Sequence, residues 1–69
     1  MKIIYLSHAR DRMRQRGITE LDVEDILKHP DYVKKSIKNR KEAVGETRNR
    51  TIKVVFIEKE SYIKIITVI

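Results

Sequence analysis

The spacing of apolar positions changes twice along the chain, and each change marks an element. Lys2–Leu6 is a short apolar run with β character, long enough for an edge strand that leads into a helix. From His8 to Arg16 the residues are mostly strong helix formers, with Ser7 in the N-cap place and Gly17 where a left-handed residue stops a helix. This predicts a first helix over 8–16 whose apolar strip is narrow, formed by Leu6, Ala9 and Met13. A second capped start follows at once. Thr19 caps, Asp22 occupies the reciprocal position three residues on, and Ile18 can staple onto Val23. Val23, Ile26 and Leu27 form the apolar stripe of this second helix, which runs to about Lys28. Pro30 ends it, because the residue before a proline, here His29, leaves helical space.

Beyond Tyr32 the period becomes two. Strands are predicted over Tyr32–Ile37, Lys41–Thr47, Arg50–Glu58 and Tyr62–Ile69, with turns at Asn39-Arg40, Arg48-Asn49 and Lys59-Glu60-Ser61. In the last two strands Ile52, Val54, Phe56, Ile63, Ile65 and Ile69 share a face for the helices to cover. The other face keeps Val55, Ile57, Ile66 and Val68, more apolar surface than a solvated sheet shows, so a partner or a homodimer is expected across it. The expected architecture is one α+β domain over 1–69. It has a short N-terminal strand and two helices packed on a mainly antiparallel sheet of about four strands.

Composition narrows the chemistry. The chain has 69 residues, 41% hydrophobic and 38% charged, with two Gly and one Pro, which suits a small folded domain and argues against disorder. No cysteine is present, so disulfides, thiolate zinc sites and a cysteine nucleophile are all ruled out. The carboxylates of the second helix lack a histidine at ligand spacing, and no metal or cofactor is expected. Glycine-rich phosphate loops and a Gly-x-Ser-x-Gly elbow are absent. With no signal-like segment and no run of about 18 apolar residues, the expectation is a cytoplasmic protein that does not enter a membrane. The formal net charge is +6, which favours polyanionic partners. That charge is uneven: residues 20–31 hold five acids against Lys28, and residues 34–50 hold seven bases against Glu42 and Glu46.

Two sets of side chains could carry chemistry. On the first helix, a rotation of about 100° per residue brings His8, Arg12, Gln15 and Arg16 to one flank beside the apolar strip. An imidazole followed by guanidiniums one and two turns on suits phosphate binding with proton transfer, because Arg offers a rigid fork and His titrates near neutrality. Arg40, Lys41, Arg48, Arg50 and Lys53 form the second set, on turns and strands that could converge on a phosphate. Each set has an ordinary alternative: a solvated helix flank in the first case, solubility and edge protection in the second. A helix-turn-helix contact with DNA is disfavoured, since the helix that would enter the groove carries Glu20, Asp22, Glu24 and Asp25. Base stacking on a sheet has little support from four aromatics in all.

The residues Ser7-His8-Ala9-x-x-Arg12-Met13, Arg16-Gly17-Ile18-Thr19 and Val23 resemble the opening of a family of small bacterial and archaeal His-Ala-x-x-Arg-Met domains of uncharacterised activity. Gly45, Arg50-x-Ile52-Lys53-Val54-Val55 and Ile65-Ile66-Thr67-Val68 resemble that family's closing strands. The order of elements is also similar to BrnT toxins and, more distantly, to the RelE/ParE toxin superfamily. That resemblance implies a metal-independent endoribonuclease that acts on RNA, free or on the ribosome, and is neutralised by a cognate antitoxin. A ribose 2′-hydroxyl would attack the adjacent phosphate. The resemblance implies catalytic roles for His8, Arg12, Arg50 and Lys53, with His8 moving the proton. RNA or phosphate contacts would come from Arg16, Arg40, Lys41, Arg48 and Thr67. One departure is visible: the chain ends Thr67-Val68-Ile69 where relatives often carry a terminal aromatic, so a tyrosine at that place is missing. The competing implication is non-enzymatic, either a ParE-like toxin that blocks a topoisomerase through the apolar outer sheet face or a basic nucleic-acid or protein-binding module.

Overall fold

Helices of nine or ten residues are too short to persist alone in water, so their ends and one face must be held by the rest of the chain. A computed structural model, which describes residues 2–69, shows how that is done. The elements are β1 (Lys2–Tyr5), α1 (Ser7–Arg16), α2 (Glu20–Lys28), β2 (Tyr32–Lys35), β3 (Lys41–Thr47), β4 (Arg50–Glu58) and β5 (Tyr62–Val68). The α+β class is as expected. The sheet has five strands in the order β1-β5-β4-β3-β2, with β1 parallel to β5 and every other pair antiparallel. The short first strand is thus part of the sheet, at its edge.

The cap of α1 differs from expectation. Leu6, not Ser7, holds the extended N-cap conformation, and no side chain caps the helix. The cause is β1. Its pairing with β5 continues one residue further, through a hydrogen bond from Leu6 N–H to the Ile65 carbonyl, while the Leu6 carbonyl accepts from Arg10 N–H. Gly17 ends α1 at φ 67°, in the left-handed region that glycine enters without steric cost. Thr19 and Asp22 form the full capping box of α2, and His29 is its C-cap.

Both α1 and α2 lie on one face of the sheet, α1 against β5 and α2 against β3 and β4. Ala9, Met13, Ile18, Val23 and Ile26 meet Ala43, Ile52, Val54, Phe56, Ile65 and Val68 in a single core. Simple alternation places Ile69 in that core and Val68 outside it, and the structure reverses the two. Between the pairs Phe56–Ile65 and Val55–Thr67 the register slips, leaving Ile66 without an opposite residue. One extra residue inverts the alternation beyond it, so Val68 turns inward and Ile69 is exposed. The turn after β2 also sits earlier than expected. β2 stops at Lys35 and the left-handed pair is Lys38-Asn39, at φ 57° and 62°. In the next hairpin Arg48 and Asn49 both have positive φ, at 50° and 65°, matching a two-residue turn of the primed type.

Candidate functional site

The fold sorts the nine sequence-derived candidates into three places. His8, Arg12 and Arg16 follow one another along α1. Arg48 and Arg50 flank the β3–β4 turn at the end of the sheet, where Arg48 reaches the Gly17 carbonyl at the C-terminal end of α1. The anchor of this corner is Asp22. Arg48 donates to the Gly17 carbonyl at 2.9 Å and to the Asp22 carboxylate, which also accepts from the Thr47 hydroxyl at 3.4 Å. Arg50 pairs with Thr47 across the hairpin and so lies on the helix-bearing face of the sheet. The carboxyl of Asp22 is held below its ordinary range, first by the backbone N–H of Thr19, then by the Thr19 hydroxyl and the charge and hydrogen bond of Arg48. Arg48 is therefore spent on holding the turn to the helices. Among the described residues Arg12, Arg16 and Arg50 make no ion pair. This leaves three guanidiniums available to an outside anion.

Arg40 and Lys41 lie at the opposite end of the sheet, by the β2–β3 turn. Lys41 is paired with Glu58 at 2.8 Å. Neither reaches the arginine corner.

Lys53 and Thr67 are on the outer face of the sheet, away from both helices. Strand register builds this face in rows, because residues directly opposite in a ladder point to the same side. Tyr32, Val44, Lys53 and Ile69 make one row, and Lys34, Glu42, Val55 and Thr67 the next. The sheet separates Lys53 and Thr67 from His8, Arg12 and Arg50.

Glu42, which sequence reasoning did not single out, lies at the centre of this face. Its side chain is only 17% exposed, and one carboxylate oxygen faces two ammonium groups, Lys53 at 3.6 Å and Lys34 at 3.8 Å. Both distances exceed hydrogen-bond reach, and that oxygen is buried without a hydrogen-bond partner. The other ion pairs among the described residues close to 3.3 Å or less. A buried acceptor left unfilled costs roughly 1–3 kcal/mol, and the charge of the two ammonium groups beside it acts against that cost. The signal that could have found Glu42 is the β2–β3 register. Placing Lys34 opposite Glu42 requires the turn to be fixed at Lys38-Asn39, one residue before the Asn39-Arg40 turn that the sequence suggests.

Among the described residues no group of His, Asp or Glu is arranged to hold a metal ion, and no helix is long and apolar enough to cross a membrane. A family model described as Domain of unknown function (DUF4258) matches residues 5–69. The chain belongs to the DUF4258 family. The match takes in both helices, four whole strands and all nine candidate residues, so both basic faces belong to the DUF4258 domain itself. Comparison with curated proteins and with solved structures finds no match.

Proposed function

We propose that this DUF4258 domain is a toxin-type, metal-independent endoribonuclease that cuts RNA on the outer face of its sheet and is held inactive by an antitoxin. The observation that carries the reading is the Glu42 carboxylate set between the ammonium groups of Lys34 and Lys53 on the outer face, its side chain still 17% exposed. An RNA strand would bring to that carboxylate a hydroxyl donor next to a phosphate. Glu42 takes the proton of the ribose 2′-hydroxyl as its oxygen attacks the neighbouring phosphorus. Lys53 and Lys34 hold the charge of the crowded phosphorane, and Thr67, one row from Lys53, offers a hydroxyl on the same face. The phosphorus–O5′ bond then breaks, an ammonium group supplies the proton of the leaving oxygen, and a 2′,3′-cyclic phosphate remains. Arg12, Arg16 and Arg50, free of acidic partners, bind the backbone of the same RNA beyond the cut. On this reading His8 belongs to the backbone track and not to the proton transfer, because the sheet lies between it and the lysines.

The test is incubation of purified protein with a mixed RNA in EDTA, beside Lys53→Ala and a His8→Ala, Arg12→Ala double variant. Wild type should leave cyclic-phosphate ends, Lys53→Ala should leave almost none, and the double variant should cut with weaker binding. Intact RNA with wild type would reject the enzyme. Full loss in the double variant with full activity in Lys53→Ala would move the chemistry to α1.

A further inference from the structure

One region of the molecule has the opposite character to the rest. Between α2 and the β1 edge is an open cleft of about 490 Å³. Ile3, Tyr5, Leu27 and Ile63 give it an apolar floor, and Glu20 and Glu24 stand along its rim. Lys28 also lines it, and Arg10 stands beside it over the Tyr5 ring. Glu20 is occupied by Arg10 at 2.8 Å, while Glu24 makes no ion pair among the described residues. The Tyr5 hydroxyl is buried without a hydrogen-bond partner. Leu21, on the same helix, is 72% exposed. An apolar seat with an unpaired carboxylate at its rim fits an apolar knob flanked by cations.

The chain carries such a knob. Ile37, 71% exposed, stands at the tip of the β2–β3 hairpin, between Lys35 on one side and Lys38 and Arg40 on the other. Among the described residues none of these three cations is in an ion pair. This exposed isoleucine is flanked by cations, and the one carboxylate of the cleft rim without an ion pair among the described residues, Glu24, is their complement. Position agrees with chemistry. Ile63 lies opposite Glu58 beside the β4–β5 turn, and Lys41, which follows the Ile37 tip, lies opposite Phe56, so knob and cleft are at the same end of the sheet. They are at opposite edges, the cleft by β1 and the knob beyond β2. A two-fold axis normal to the sheet then brings each tip against the other copy's cleft, and the contact closes as a pair.

We infer that the protein forms a two-fold dimer in which the Ile37 tip of each copy enters the α2–β1 cleft of the other, with Lys38 and Arg40 against Glu24. The outer face of the sheet stays open in this dimer. For a domain of 69 residues, whose own core is small, burying these apolar groups adds stability that one chain cannot supply.

Sedimentation velocity over a concentration series tests the dimer, with circular dichroism to establish that each variant folds. Wild type should pass from one copy to two, and Ile37→Asp should weaken association by at least about tenfold, equivalent to ~1.4 kcal/mol. Glu24→Lys alone and Lys38→Glu alone should each associate more weakly than wild type, the first setting a cation against the cations of the tip and the second an anion against Glu24. Mixed together, these two variants should pair with each other, because each then presents what the other needs. A wild type that remains a single copy at every concentration overturns the inference. So does a dimer that survives Ile37→Asp and both charge reversals.

Discussion

At the scale of single residues, Asp22 and Tyr5 give the clearest separation between holding the fold and serving a ligand. Asp22 closes the capping box of α2 and also receives Arg48 and Thr47, so three elements meet on one carboxylate. Asp22→Asn should cost about 1–2 kcal/mol in urea unfolding, in the range of a lost helix cap. Its folded pKa lies below the ordinary value of 3.8. The stability it contributes is therefore complete above pH 3.8 and is lost as pH falls through the lower folded value, and the Asn variant should show a flatter acid limb. Tyr5 behaves in the opposite sense. Burial, then the charges of Glu20 and Glu24, push its hydroxyl from 10.0 up to about 12, against the pull of Arg10 stacked on its ring at 4.9 Å. Stability from the neutral hydroxyl is complete below pH 10 and disappears between 10 and 12. Absorbance at the tyrosinate band should show one of the three tyrosines titrating near pH 12, and that late step should be missing in Tyr5→Phe.

At the scale of elements, the packing of α2 on β3 depends on Gly45. A Cβ at that position would stand 3.2 Å from Cγ1 of Ile26, whose side chain is fully buried. Gly45→Ala should destabilise by about 1–3 kcal/mol, the usual cost of an overpacked core, and Ile26→Val in the same chain should recover part of it. Gly17→Ala should also destabilise, by roughly 1 kcal/mol, for a different reason: the space is open but φ is 67°.

The same elements show what the sequence could and could not tell. The limits of α2, β3 and β4 follow from local signals, a capping box, a proline and alternation, and the structure agrees with each. The start of α1 depends on the pairing of β1 with β5, which is contact at a distance along the chain. Val68 and Ile69 exchange places because of one unpaired residue, Ile66, and alternation by itself cannot foresee a bulge. The candidate site divides in the same way. Arg12, Arg16 and Arg50 were visible as cations near recognisable motifs. Glu42 was not, since a single acid in a basic strand acquires meaning only when cross-strand register sets Lys34 and Lys53 beside it.

At the scale of the whole molecule, three surfaces have distinct characters. The α1 flank and its corner offer free arginines, the outer sheet face holds the Lys34–Glu42–Lys53 group, and α2 presents the apolar cleft with Glu24 unpaired on its rim. The proposed ribonuclease uses the first two together, with backbone phosphates on α1 and chemistry on the sheet. If Arg12 and Arg16 each neutralise one phosphate, Arg12→Ala with Arg16→Ala should reduce the salt dependence of single-stranded RNA binding by a log–log slope of about 1.4. Filter binding across a salt series measures this, and the reduction should appear on every RNA sequence tested, since phosphate contacts do not read bases.

If Glu42 moves the proton, the rate of cyclic-phosphate formation with RNA fully bound must differ sharply between wild type and Glu42→Gln. Glutamine keeps the shape but gives up most of the basicity. The rate should fall by about 10²–10⁴-fold while RNA affinity and thermal unfolding stay near wild type. A Glu42→Gln protein that cuts bound RNA at the wild-type rate would assign the proton transfer to another group.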